Sequence, residues 1–152
     1  MSGFLLDTNV PSELTRKRPE PRVMAWLEAA DDSQLFISAI TVGELHKGFV
    51  TQKDAKRRAF LEDWFRTALI PWFEGRILDV SAAIAERWGK LDGTRQMKGS
   101  PLNTADGLIA ATALEYGLTV VTRNVRDFAG LGVEILDPWD GAEEQPTSGP
   151  QG

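Results

Sequence analysis

Three acidic residues stand where a parallel α/β chain carries its chemistry. Asp7 closes the apolar run Phe4-Leu5-Leu6. With no polar residue inside it, that run reads as a short strand covered on both faces. Asp7 then falls at the carboxyl end of the strand, the edge where open α/β sheets bind ligands. Glu44 lies early in a helix expected after a second apolar run, Leu35-Phe36-Ile37. Asp106 lies in the first turn of a helix that begins at Asn103. Thr122 and Asn124 follow the β-branched run Leu118-Thr119-Val120-Val121. In a parallel sheet all of these project toward one edge.

Three carboxylates in one pocket repel one another unless a proton or cation lies between them. Oxygen-only ligand sets select hard cations such as Mg²⁺ or Mn²⁺. Such ions bind phosphate oxygens and lower the pKa of bound water. The chemistry that fits is metal-assisted hydrolysis of a phosphodiester. Asp7, Glu44 and Asp106 would hold the metal. Asn124 would offer a neutral oxygen or orient a water, and the Thr122 hydroxyl would support the ligands. Each residue also has a plainer reading. Asp7 can tie down a turn. Asp106 can cap its helix, because free N–H groups in a first turn favour an acid.

Other chemistries lack parts. The chain has one histidine and no cysteine. His46 is two residues from Glu44, so on a helix it points elsewhere. Without it no Ser-His-Asp set can be built, and there is no Walker-type phosphate loop. A disulfide scaffold and a thiolate metal site are excluded. The lack of cysteine fits a reducing cytoplasm, and the expected localisation is cytoplasmic. No signal peptide and no membrane span are expected.

The elements that must position these residues follow from pattern. Thr8 or Asn9 can cap a first short helix, with Pro11 in its first turn. Arg16-Lys17-Arg18-Pro19 is an exposed basic loop. Pro21 starts a second helix, which Asp31-Asp32-Ser33 breaks. Ser38 or Thr41 caps the helix carrying Ile40, Glu44, Leu45 and Phe49. Residues 54–69 form a helix with a broad apolar face: Phe60, Trp64 and Ala68 beside Leu61, Phe65 and Leu69. Pro71 ends it. Lys53, Lys56, Arg57 and Arg58 crowd its start, where the helix dipole disfavours cations. Ile77-Leu78 is a short strand or link. Ser81 caps a helix through Ile84, Trp88 and Leu91, and Gly93 to Pro101 is expected as loop. Small residues from Ala105 to Ala113 make the helix after Asn103 slim enough to lie close on a sheet. Val133 to Leu136 is a last, edge strand. Strands separated by helices give a mainly parallel sheet covered on both faces.

At 152 residues, with 42% hydrophobic and 26% charged residues, the chain suits one soluble domain. Its net charge is -5, which does not by itself suggest nucleic-acid binding. The distribution says more. Asp140, Glu143 and Glu144 lie in the tail, and no Lys or Arg follows Arg126. Without those three acids the charges nearly balance. With several remaining acids drawn into one pocket, the outer surface is basic enough to meet phosphates. Residues 140–152, polar and rich in Gly and Pro, are expected to be a disordered tail.

The motifs Leu5-Leu6-Asp7-Thr8-Asn9, Ile40-Thr41-Val42-Gly43-Glu44-Leu45, Asn103-Thr104-Ala105-Asp106-Gly107-Leu108-Ile109-Ala110-Ala111-Thr112-Ala113 and Val121-Thr122-Arg123-Asn124 resemble, in order and spacing, those of PIN-domain ribonucleases. The resemblance is to the VapC and FitB toxins of type II toxin–antitoxin pairs. It covers about residues 3 to 139, so residues 1–139 are taken as the domain. It implies a PIN-like three-layer α/β/α sandwich and an endoribonuclease using Mg²⁺ or Mn²⁺ that leaves 5′-phosphates. It implies Asp7, Glu44 and Asp106 as metal ligands, Asn124 as a catalytic residue, and Thr8, Asn9 and Thr122 in support. It further implies a homodimer, an RNA substrate and a cognate antitoxin that would bring the pair to operator DNA. Many relatives carry a fourth acid where this chain has Asn124. Asp127 is near but in the next turn, so one metal or two stays open.

Two other readings compete. One keeps the fold but not the activity, as a PIN-like module acting by protein or RNA binding. The other is a phosphotransfer domain of the haloacid-dehalogenase or receiver type. The first of these needs a second acid two residues after Asp7, where Asn9 stands. The second needs a late Lys, and the stretch after Val121 offers Arg123.

Overall fold

A computed structural model describes residues 2–140. The expected tail, apart from Asp140, lies outside the described residues. Five strands form one parallel sheet: β1 (Phe4–Leu6), β2 (Leu35–Ser38), β3 (Ile77–Leu78), β4 (Thr119–Val121) and β5 (Ile135–Leu136), in the order β3-β2-β1-β4-β5. Leu5 pairs with Phe36 on one side and with Val120 on the other. The ladder runs on past the strands, with the Asp7 N–H donating to the Val121 carbonyl at 2.9 Å and the Thr122 N–H to the Leu136 carbonyl at 3.0 Å. From β1 the chain builds outward through β2 and β3, then returns to add β4 and β5 on the other side. The direction of winding therefore reverses between β1 and β4. In open parallel sheets a crevice forms at that reversal, outside the carboxyl ends of the strands.

Alternation along the central strands divides the core in two. Leu6 and Val121 face one side, with Val23 and Leu27 of α2 (Pro21–Ala29), Leu45 and Phe49 of α3 (Ala39–Val50), and Leu61 of α4 (Ala55–Trp64). Leu5 and Val120 face the other, with Ile109, Ala110 and Ala113 of α7 (Thr104–Tyr116) and Phe128 of α8 (Val125–Phe128). The result is the expected three-layer sandwich. Short helix α1 (Asn9–Glu13) leaves the end of β1, and α6 (Ala82–Met97) packs along α7.

Several local expectations are corrected. The stretch from Gly93 reads as loop in the sequence, but α6 continues to Met97. A glycine costs an exposed helix only about 1 kcal/mol relative to alanine, and packing against α7 outweighs it. The helix stops where Gly99 takes φ +77°. Pro71 does not end its helix. The chain widens into a π turn over Phe65–Leu69, then resumes as α5 (Ile70–Trp72). Proline lacks an N–H and its ring would meet the carbonyl four residues back, so the wider turn sits where a regular one would clash. Along α4 and the π turn the buried stripe is Leu61, Phe65 and Leu69, whereas Phe60 is 51% exposed. Ser38, not Thr41, caps α3 by accepting from the Ile40 N–H at 2.9 Å.

Candidate active site

The crevice between β1 and β4 is lined by polar groups that the sheet itself delivers. Asp7 is 4% exposed. Its Oδ1 accepts the Thr8 N–H at 2.8 Å, and its Oδ2 accepts the Thr122 hydroxyl at 2.8 Å and, at 3.4 Å, the Asn9 amide. The Thr122 hydroxyl oxygen in turn accepts from the Asn124 N–H at 2.9 Å and the Asn9 Nδ2 at 3.3 Å. The ends of β1 and β4 are thus laced together through one carboxylate.

Thr8 stands at the cap position of α1, as the sequence allows, but its side chain caps nothing. Its hydroxyl lies 2.5 Å from Glu44 Oε1 and 3.1 Å from the buried Thr41 hydroxyl. A hydroxyl has one proton. Given to the carboxylate, it leaves Thr41 to donate to Thr8. That chain ties Glu44 of α3 to the end of β1.

Asp106 arrives differently. Asn103 caps α7, its side chain accepting the Asp106 N–H at 3.1 Å. No hydrogen-bond donor among the described residues meets the Asp106 carboxylate, so the carboxylate is not what the helix end relies on. Its place is set by packing. A Cβ on Gly107 would lie 2.8 Å from Trp88 Cδ1 of α6. Only glycine lets the two helices approach so closely, and that approach holds the first turn of α7 over the crevice.

The electrostatics report convergence. Burial raises the Asp7 carboxyl above its ordinary value; the Thr122 hydroxyl and Thr8 N–H pull it back, while Glu44 and Asp127 push it further up. Asp106 is pushed up to about 6, first by burial and then by Asp7, Asp127 and Glu44. Asp7, Glu44 and Asp106 therefore share one electrostatic neighbourhood. Asp127, which the sequence places in the next turn, is part of it too. The signal is there in the spacing: Asn124-Val125-Arg126-Asp127 opens α8, and a residue three along a helix lies over the same face. Asn124 stands exposed just before α8; its backbone serves Thr122, and its side chain does not cap. His46 lies apart, its ring 4.4 Å from that of Phe65 and its Nδ1 bonded to the Val42 carbonyl at 3.1 Å.

A family model described as "PIN domain" matches residues 4–133. The chain belongs to the PIN-domain family. This PIN domain is 37% identical over 136 residues to toxin FitB of Neisseria gonorrhoeae, covering 90% of the chain and 98% of FitB. It is 36% identical over 139 residues to VapC ribonuclease Y4jK of Sinorhizobium fredii, covering 91% and 99%. The solved structure of FitAB bound to an IR36 DNA fragment superposes with a TM-score of 0.83 at 35% identity, over 90% of this chain and 96% of that one.

The carboxylate oxygens of this PIN domain's site suit a hard divalent cation, with the hydroxyls of Thr8 and Thr122 and the Asn9 amide N–H₂ orienting them. Burial first, and then the neighbouring acids, raise Asp7 and Asp106, and a cation would relieve both burdens. Among the described residues no three acidic side chains close into a ready-made ligand cluster. Glu44 is held by Thr8, and Asp7 by Thr8 and Thr122. Among the described residues no helix is long and apolar enough to cross a membrane.

Proposed function

We propose that this PIN domain is a Mg²⁺- or Mn²⁺-dependent endoribonuclease and the toxin of a type II toxin–antitoxin pair. The observation that carries the reading is the buried, hydrogen-bonded Asp7 at the sheet's topological reversal, with Glu44 tied to it through Thr8 and with Asp106 and Asp127 close enough to act on its charge. Its relatives, a toxin and a ribonuclease matched over nearly their whole length, support it.

Asp7, Glu44 and Asp106 would hold the cation, with Asp127 adding charge. When bound, the cation neutralises phosphate charge and makes water a better nucleophile. The chain's own residues do the positioning. Thr122 and Thr8 fix the Asp7 carboxylate. Thr8 and Thr41 fix Glu44. Asn124, exposed just before α8, would meet a water or a phosphate oxygen. The net reaction adds water across the P–O3′ bond, leaving a 5′-phosphate and a 3′-hydroxyl. The same reading brings a cognate antitoxin, a homodimer and, through the antitoxin, operator DNA. The structure of FitAB bound to a DNA fragment supports a protein partner and DNA by analogy.

The test is cleavage of RNA by purified protein with Mg²⁺ or Mn²⁺, against the same mixture with EDTA. Metal-dependent cleavage that EDTA abolishes is expected. Absence of cleavage with either metal would leave the binding-module reading in its place.

A further inference from the structure

Beside the acidic crevice lies a basic ridge built from two separate segments. The loop carrying exposed Arg16, Lys17 and Arg18 follows α1, and exposed Lys53 and Lys56 with half-buried Arg57 and Arg58 surround the start of α4. The segments are joined: Arg57 Nη2 donates to the Thr15 carbonyl at 2.6 Å. Arg16 pairs with buried Glu13 at 3.3 Å. Among the described residues, Lys17, Arg18, Lys53 and Lys56 make no ion pair. Their positive charge faces solvent.

An aromatic ring stands in the middle of this charge. Phe60 is 51% exposed, and the Arg57 guanidinium lies 5.3 Å from its centroid. Along α4, Arg57, Phe60 and Trp64 fall at three- and four-residue spacing, on one side of the helix. Trp64, Thr15 and Ser12 line a cleft of about 150 Å³ together with Glu44. The ridge thus runs from solvent, past an exposed aromatic face, to a carboxylate of the site.

We propose that this ridge holds the single-stranded RNA flanking the scissile phosphate, with a base stacked on Phe60 and the backbone along Lys17, Arg18, Lys53 and Lys56. Cations that follow a backbone beside an exposed aromatic are the parts that single-strand binding uses. A base paired in a duplex could not lie flat on Phe60. The inference rests on the ribonuclease reading for its direction, but its test does not need cleavage.

Binding of a short fluorescein-labelled single-stranded oligoribonucleotide is measured by anisotropy in EDTA, across a salt series. Phe60→Ala is expected to weaken binding roughly tenfold with little change in salt slope, and Phe60→Trp to restore it. Lys17→Gln with Arg18→Gln is expected to weaken binding and to lower the log–log salt slope by about 0.7 for each phosphate no longer neutralised. All these side chains are at the surface, and circular dichroism checks that each variant is folded. A duplex of the same sequence should be indifferent to Phe60→Ala. Parent-like affinity in Phe60→Ala and in the double variant would overturn the inference and give the ridge to another partner. So would a parent that does not bind the oligonucleotide even at low salt. Absence of metal-dependent cleavage in a parent that binds RNA by this ridge would instead sink the nuclease reading alone.

Discussion

The two walls of the crevice are made in different ways. On the sheet wall, Asp7 and Glu44 are met by donors: a backbone N–H and the hydroxyls of Thr122 and Thr8. On the helix wall, Asp106 meets no donor among the described residues, and its place depends on the close approach of Trp88 to Gly107 behind it. One wall is fixed by hydrogen bonds and the other by packing. A directed bond fails when its chemistry changes, whereas packing fails when volume changes. The sheet wall should therefore be sensitive to isosteric substitutions, and the helix wall to a single added methyl.

The largest effect is expected at Asp7. Asp7→Asn preserves shape but removes a charged ligand and sets an amide N–H₂ against a donor that a carboxylate oxygen now accepts. RNA cleavage should fall by several orders of magnitude, and toxicity on expression should disappear. The fold should survive, because burial and like charges already burden the carboxylate enough to raise its pKa. Neutralising it removes that burden as it weakens the hydrogen bonds, so the melting temperature should move by only about a few degrees. Full activity in a contaminant-free Asp7→Asn preparation would remove Asp7 from the mechanism.

Next comes Gly107→Ala. The new methyl would lie 2.8 Å from Trp88 Cδ1 and 3.0 Å from Nε1, so α7 must shift or the indole must turn. Overpacking of this kind costs about 1–3 kcal/mol. A displacement of roughly 1 Å at a reacting group can cost about 10²-fold in rate. The loss should appear in kcat more than in KM, since Asp106 moves while the RNA surface does not. Trp88→Phe in the same chain should recover much of it by trimming the ring that the methyl strikes. It would also remove the buried indole N–H, which has no partner among the described residues. Equal loss in the single and double variants would show that Gly107 is needed for something other than this close approach.

How much of this can be read from sequence follows the same division. The sheet wall is legible, because apolar runs ending in Asp7 and Thr122 mark strand ends whatever the packing. The acid at 106 is visible but ambiguous, since its position also suits a cap. Only the structure separates the roles, by assigning the cap to Asn103. Thr8 reads as a cap because local spacing allows it, whereas its bonds to Thr41 and Glu44 span more than thirty residues. Such bonds leave no local pattern. The extension of α6 through Gly93 and the π turn before Pro71 escape the sequence for a related reason. Each breaks a local rule at a cost that tertiary packing outweighs.

A smaller effect, and one of opposite sign, is expected for the stability of Asp106→Asn. The folded protein holds the Asp106 proton up to about 6 against an ordinary 3.8. Its stabilising contribution is complete below the lower value and is lost as pH rises through the upper one. In EDTA the parent should therefore lose stability between pH about 4 and about 6, and Asp106→Asn should flatten that loss while losing activity. Urea melts across this range decide it. A parent whose metal-free stability rises with pH, with a variant that follows it, would mean that the like charges around Asp106 do not govern the helix wall.

The smallest effect is expected at Asn124. If Asp127 already supplies the fourth charge, a carboxylate at 124 adds little. Asn124→Asp adds charge at an exposed rim, where screening keeps an added interaction near 1 kcal/mol, or about a factor of ten or less in affinity. Asp127→Asn should cost at least as much, because that residue acts on both Asp7 and Asp106. One firmly bound ion is expected in the parent, with any second one weak until RNA phosphate joins it, since Mg²⁺ keeps several waters and needs few protein ligands. Calorimetric titration of Mn²⁺ into the parent and both variants tests this. Two tight, equivalent sites in the parent would mean that Asn124 and Asp127 together complete a second site. A gain for Asn124→Asp well above tenfold would mean that the rim at 124 is drier than its exposure indicates, and that the helix wall reaches further across the crevice than Asp127.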